Sequence, residues 1–191
     1  MHILITANTA WNIWNFRRAI VTSLLADGHT VTVLAPKDEA APDLERLGCQ
    51  LLDLKISPGG LNPIGDVFLL RRFRRIYREV RPDVVLSYTI KCNVFGALAT
   101  MGTRTPFIPN VTGLGTAFLS GRLLQTAVEM LYRLAFRDLE VIYFQNSDDR
   151  AYFIERGLAR VEQTTLLPGS GVDLNHFAVT PKPPLDAPPI F

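Results

Sequence analysis

The chain has 191 residues, 48% of them hydrophobic, and 20 Lys and Arg against 18 Asp and Glu give a formal charge of +2. That is enough chain to bury the core of one domain, and so small a basic excess carries no nucleic-acid footprint, because such binders concentrate positive charge on one face. Cys49 and Cys92 lie far apart with no partner motif, so neither a disulfide framework nor a zinc site is signalled, and a reducing compartment fits.

The first strand is expected at residues 2–6, a short β-branched apolar run. No basic n-region precedes it, which argues against a signal peptide. No uncharged apolar run reaches the roughly 18 residues of a spanning helix. The next apolar run, 31–35, follows a helix-like segment closed by Gly28, so the first 36 residues read as a βαβ unit. Residues 7–15 between strand and helix are rich in side-chain amides and indoles and carry no charge. At the carboxyl end of a first parallel strand, such a loop borders the crevice where open α/β sheets bind ligands. Asn8, Trp11, Asn12 and Asn15 are therefore candidate ligand contacts. The alternative is that Trp11 and Trp14 pack on the sheet while the asparagines cap the helix. No G-x-G-x-x-G is present, so a dinucleotide cradle is not expected.

A helix is predicted over 16–26, with Phe16, Ile20 and Leu24 beside Ala19, Val21 and Leu25 toward the sheet and Arg17, Arg18 and Asp27 on the remaining face. A short polar helix at 38–47 ends at Gly48, and 50–54 reads as the third strand. Residues 56–63 are rich in turn formers, and Asn62 before Pro63 looks like an N-cap with proline at the first helical position. Over 64–80, Leu69, Phe73, Ile76 and Val80 form one stripe while Arg71, Arg74, Arg75 and Arg78 gather opposite, with Arg72 in the same helix. This is either a solvated face beside Glu79 or an attraction for lipid head groups or a diphosphate, each basic residue near a membrane contributing about 1 kcal/mol.

The fourth strand, 82–87, exits through Tyr88-Thr89-Ile90-Lys91-Cys92-Asn93 into a helix at 94–100. Hydroxyls, a phenol and a lysine at a strand's carboxyl end suit an anionic or hydroxyl-rich ligand. Strand five, 106–111, runs into Thr112-Gly113-Leu114-Gly115-Thr116, where glycines let backbone amides approach a ligand. A helix over 118–137 places Leu124, Ala127, Val128, Leu131, Leu134 and Ala135 on one face and Arg122, Glu129, Arg133 and Arg137 opposite. It either covers the sheet or inserts in part at a membrane surface. Strand six is expected at 141–145, with Asn146-Ser147-Asp148-Asp149 capping a helix at 150–155. Strand seven, 164–168, leads to a glycine-rich exit and then to Pro181, Pro183, Pro184, Pro188 and Pro189.

The alternation predicts an α/β fold, a Rossmann-like doubly wound and mainly parallel seven-stranded sheet. Four motifs add a resemblance: Gly28-His29-Thr30-Val31, Arg81-Pro82-Asp83-Val84-Val85, Asn146-Ser147, and Gly169-Ser170-Gly171-Val172-Asp173-Leu174-Asn175-His176-Phe177. With them the chain resembles the N-terminal half of a family 4 retaining glycosyltransferase of the GT-B fold. The last motif is the most specific, and the set spans nearly the whole chain. Ser87-Tyr88-Thr89-Ile90-Lys91 with Asn110-Val111-Thr112-Gly113-Leu114-Gly115 is further similar to the bacterial surface-polysaccharide branch, whose members add a sugar to a lipid-linked acceptor.

The resemblance implies an acceptor-side Rossmann-like domain at 1–177 and a proline-rich interdomain linker at 178–191, with the donor domain and its paired-glutamate element absent, so that the chain alone should not turn over. It implies transfer from a nucleotide sugar to a lipid-linked saccharide with retention, using no metal and no cofactor beyond the donor substrate. Asn8, Trp11, Asn12 and Asn15 would line the acceptor side of the cleft with Tyr88 and Thr89. Thr112 and Gly113 would approach the donor sugar or diphosphate. Lys91 would be catalytic, neutralising leaving-group charge. The expected partners are the nucleotide sugar, the lipid-linked acceptor, a C-terminal donor domain or partner subunit, and an anionic membrane in peripheral contact, with no nucleic acid. The expected place is the cytoplasm, at the inner face of the cell membrane. Two other classes stay open: a non-catalytic subunit that recruits a separate catalytic half to the membrane, and a different nucleotide-using enzyme on a doubly wound sheet, such as an epimerase-like one.

Overall fold

Seven short runs dominated by β-branched and other apolar residues pair into one sheet. The computed structural model describes residues 1–56, 62–114, 122–171 and 174. The strands are β1 (His2–Thr6), β2 (Thr30–Ala35), β3 (Gln50–Asp53), β4 (Val84–Tyr88), β5 (Phe107–Val111), β6 (Ile142–Phe144) and β7 (Thr164–Leu166). They stand in the order β3-β2-β1-β4-β5-β6-β7, and every neighbouring pair is parallel. Between them run α1 (Ala10–Ala26), α2 (Ala41–Arg46), α3 (Pro63–Val80), α4 (Ile90–Thr100), α5 (Arg122–Phe136) and α6 (Ser147–Glu155). This is the expected Rossmann-like sheet, with the strand order reversing between β1 and β4.

Alternate strand residues face opposite sides, and the two sides bury separate cores. Ile3, Ile5, Val31 and Val33 pack under Ala10, Ile13 and Val21 of α1 and Leu44 of α2. Leu4, Leu34 and Val85 pack under α3, α4, α5 and α6, where Tyr132, Phe136, Phe144 and Phe153 meet mostly edge to face with ring centroids 4.9 to 6.1 Å apart. Right-handed crossovers account for this split, since connections running in opposite directions along the sheet must lie on opposite faces. On the α1 side, no described helix covers β5, β6 and β7. On the other side α4 approaches closely at Gly96, where a Cβ would stand 2.8 Å from the Phe107 ring and 3.0 Å from the Tyr77 hydroxyl.

The structure corrects the sequence reading at several points. The Thr9 hydroxyl accepts from the Asn12 backbone N–H at 3.0 Å and starts α1 at Ala10, so the loop after β1 shrinks to three residues. The inward face of α1 is Ala10, Ile13, Arg17 and Val21, whereas Phe16 and Ile20 are exposed, because that flank looks over the uncovered strands. Helix α4 begins at Ile90, so Lys91 belongs to its first turn. In α5, Glu129 is buried rather than outward and Leu134 is exposed. Glu129 is drawn in by Gln125, Tyr152 and a two-pronged contact with Arg156. The Asn62 cap stands as expected, its side chain accepting from the Gly65 N–H at 3.1 Å. Residues 57–61, Gly115 and Thr116, the start of the fifth predicted helix with the Arg122 side chain, and most of the segment after Gly171 lie outside the described residues.

Candidate functional site

A fully parallel sheet puts every strand's carboxyl end at one edge. The register pairs Thr6 with Ser87 and Tyr88 with Asn110, so the exits of β1, β4 and β5 lie side by side where the strand order reverses. Such a switch point leaves a crevice, because the two flanking connections depart to opposite faces. Asn8, Thr89, Thr112 and Gly113 all follow directly on these strand ends. Thr89 holds φ +70°, a conformation costing a β-branched residue about 1 to 3 kcal/mol. It breaks β4 abruptly and lets α4 start one residue later.

The sequence-predicted residues are not equally placed. Asn8 is exposed in the short loop. Trp11 and Asn15 sit on the side of α1 away from Ile13: the Trp11 ring is edge-on to Phe16 at 5.6 Å, and the Asn15 amide donates to the Trp11 carbonyl. Asn12 is half-buried with its Oδ1 unpartnered. Tyr88 is buried as the last residue of β4, Thr112 is exposed and Gly113 is half-buried. Lys91 is not a free cation. Its Nζ donates to Asp66 Oδ1 at 3.0 Å, and the other oxygen of Asp66 accepts from the Asn62 N–H. The pair therefore ties the first turn of α4 to the first turn of α3.

The residue that hydropathy assigned to solvent, Arg17, is 4% exposed. Its guanidinium lies 4.3 Å above the Tyr88 ring, and Nη1 donates to the Phe16 carbonyl and the Ser170 hydroxyl. Burial pulls its pKa down, the Tyr88 phenol pulling the other way, and Tyr88 is itself pushed up by burial. No acidic group among the described residues pairs with Arg17. Beside it opens a groove of about 220 Å³ on the uncovered side of the sheet, lined by Tyr88, Asn110, Tyr143, Gln145 and Ser170.

Buried side-chain polar atoms without a protein partner gather at this end of the sheet: Asn12 Oδ1, Arg17 Nε, Ser87 Oγ, Asn93 Oδ1 and Asn110 Oδ1. Interiors rarely tolerate such groups, each costing about 1 to 3 kcal/mol when unsatisfied. At the groove itself Arg17, Asn110 Oδ1, Tyr143 and Ser170 bring together a cation, an amide oxygen and hydroxyls, a set that matches a ligand rich in hydroxyls with an anionic group. A run of hydropathy could not find Arg17 or Asn110; only the β5 exit motif, which contains Asn110, hinted at one of them.

The class that this fold and crevice define agrees with the comparisons. A family model described as a glycosyl transferase 4-like domain matches residues 13–169. The chain belongs to that family, the N-terminal domain of family 4 glycosyltransferases of the GT-B fold. Among solved structures it is similar to Alr3699/HepE from Anabaena, solved with UDP and glucose, at 20% identity and TM-score 0.65, covering 95% of this chain and 47% of that one. It is similar to a glycosyltransferase from Rickettsia africae at 15% identity and TM-score 0.65, covering 94% of this chain and 46% of that one. A UDP-N-acetylglucosamine 2-epimerase shares the fold at 13% identity and TM-score 0.58, over 87% of this chain and 47% of that one. The chain thus spans about half the length of each of these three structures. No curated protein matches the sequence.

Proposed function

We propose that this chain is the acceptor-binding half of a glycosyltransferase that moves a sugar from a nucleotide sugar to a lipid-linked saccharide in polysaccharide synthesis. The observation that carries the reading is the crevice at the β1–β4 reversal in a chain of this family, with Arg17 and a set of unpartnered amide oxygens beside it. Residues 1–177 form the acceptor side, 178–191 a linker, and a second lobe the donor side. Asn8, Asn12, Tyr88 and Thr89 meet the acceptor; Trp11 and Asn15 contribute from the outer side of α1. Thr112 and Gly113 approach the donor, whose UDP-type nucleotide is supported by the ligands of the Anabaena relative. The mechanism needs a cation near the departing diphosphate, and fixed charge in a partly dry cleft does that work most effectively. Lys91, fixed in place by Asp66, contributes there, and the sugar is transferred with retention at the anomeric carbon.

The test is incorporation of radiolabelled sugar from a panel of nucleotide sugars into membrane lipid extract, with the chain expressed together with whatever coding sequence continues its frame. Label entering the organic phase, and falling with Lys91→Ala in a folded variant, supports the reading. Label appearing only in a free sugar, or isomerised nucleotide sugar without transfer, refutes it. The second outcome is the epimerase reading, which the likeness to the 2-epimerase keeps in play. Binding to membranes with no chemistry, even beside a supplied donor lobe, would favour the recruiting subunit.

A further inference from the structure

Helix α3 carries an outer surface that the core does not explain. Its buried stripe is Asp66, Leu69, Phe73 and Tyr77. On the opposite face, at helical spacing, stand Ile64, Val67 and Phe68 and then Arg71, Arg75 and Arg78. Ile64 is 73% exposed, Val67 49% and Phe68 61%, an unusual concentration of large apolar side chains in water at one end of a helix. The five arginines of the helix are all exposed, and among the described residues only Arg75 has an acidic partner, Glu79 at 2.7 Å. Lys55 at the end of β3 joins Arg71, Arg72 and Arg75 around a groove of about 490 Å³ floored by Phe68 and Leu69. The segregation is along the axis as well as around it: apolar first, cationic after, over about 21 Å from Ile64 to Arg78.

We infer that the outer face of α3 docks this chain on an anionic lipid bilayer, with Ile64, Val67 and Phe68 entering the headgroup boundary and Arg71, Arg75 and Arg78 lying on lipid phosphates. Charge complementarity selects an anionic partner, and the aliphatic and aromatic tip selects a bilayer over a nucleic acid, since a phosphate backbone offers nothing to bury those side chains against. No helix among the described residues is long and apolar enough to cross a membrane, so the contact is peripheral. The docked pose also has a consequence for the cleft. The apolar end of α3 is its N-terminus, at the carboxyl edge of the sheet, and Asp66 there holds Lys91 at 3.0 Å. Seating that end in the interface brings the carboxyl edge of the sheet, at the start of α4, toward the lipid surface, where a lipid-borne saccharide would arrive. In this purpose the inference rests on the acceptor proposed above, whereas the docking itself does not.

The experiment is cosedimentation of the 191-residue chain with vesicles of phosphatidylcholine alone or mixed with phosphatidylglycerol, in low and high salt. Binding is expected only to the mixed vesicles, weakened by salt. The variant R71Q/R75Q/R78Q should bind about a hundredfold more weakly, at about fivefold per arginine, with an unchanged circular dichroism spectrum. Equal binding to both vesicles, no binding in low salt, unchanged binding of the triple variant, or preferential binding of RNA would each overturn the inference. As a second readout that leaves the core untouched, Phe68→Trp should be quenched by brominated acyl chains in anionic vesicles; absence of quenching overturns the insertion of the apolar tip. None of these arms uses a sugar donor, so loss of the docking and loss of the transferase reading are separately visible.

Discussion

The contact between Asp66 and Lys91 decides whether Lys91 acts as a free cation in the cleft or as a tie between two helices. The Asp66 side chain is 7% exposed and that of Lys91 19%. At 3.0 Å and an effective dielectric constant of about 20 the bare attraction is about 5 kcal/mol, and desolvation of both groups cancels more than half of it. A net coupling of about 2 kcal/mol remains. Lys91→Met strands a carboxylate with little access to water and should cost about 3 kcal/mol. Asp66→Asn keeps an oxygen for the Asn62 N–H and leaves an ammonium that can turn outward, so about 2 kcal/mol is expected. The double variant should then lose about 3 kcal/mol rather than 5, with a Tm about 6 to 12 °C below that of the parent at this chain length. Urea unfolding of the four proteins measures the cycle. A coupling below about 0.5 kcal/mol would show that the two side chains do not hold each other, and the helix-tie reading of Lys91 would fall.

Gly96→Ala would gain about 1 kcal/mol of helix propensity, but the new methyl meets the Phe107 ring and the Tyr77 hydroxyl at 2.8 to 3.0 Å. A net loss of about 1 to 3 kcal/mol is expected in urea, and a gain would mean that α4 is not clamped there. Burial pushes Cys49 and Cys92 up to about 11. Thiols with folded pKa values above their unfolded ones stabilise fully below about pH 9 and lose that contribution as pH rises toward 11. Stability should therefore fall across that window with a slope that Cys49→Ala/Cys92→Ala reduces; an unchanged slope assigns the loss to other groups. Burial raises the Tyr88 phenol and Arg17 opposes it. Arg17→Met should move Tyr88 ionisation to still higher pH, read by NMR of the labelled ring, and no movement would separate the two groups electrostatically.

Much of the fold was legible because its signals are local. Seven apolar runs, each followed by helical spacing or a cap, define the parallel sheet, and Asn62-Pro63 and Asn146 mark helix starts by side-chain chemistry that acts within one turn. What misled were faces whose partners come from elsewhere in the chain. Phe16, Ile20 and Leu24 make a respectable apolar stripe, yet which side of α1 is buried depends on where the sheet ends and on which neighbouring strands carry helices. Glu129 reads as outward until Arg156, 27 positions later, is brought to it. The candidate site divides in the same way. Strand exits could be read directly, so Asn8, Tyr88, Thr89, Thr112 and Gly113 fall at the carboxyl edge; Trp11 and Asn15 turned outward because Thr9 starts the helix early.

Arg17 and Lys91 are opposite solutions for a cation near one crevice. Lys91 with Asp66 is a compact dipole whose field falls away within a few ångströms, so it holds α3 and α4 together and acts only on a ligand group in direct contact. The described partners of Arg17 are a carbonyl, a hydroxyl and the face of a phenol ring, all neutral, so its charge is undiminished toward the groove. Arginine stays protonated even when burial lowers its pKa. A buried guanidinium without a counter-ion costs several kcal/mol, a cost that purely structural packing of α1 on β4 would avoid with a leucine in its place. The fold sustains it in a groove shared with the unpartnered Oδ1 of Asn110. A ligand with an anionic oxygen for Arg17 and a hydroxyl for Asn110 Oδ1 would satisfy both groups together, and that shared demand is what the proposed function asks of a ligand at the β4–β5 exits.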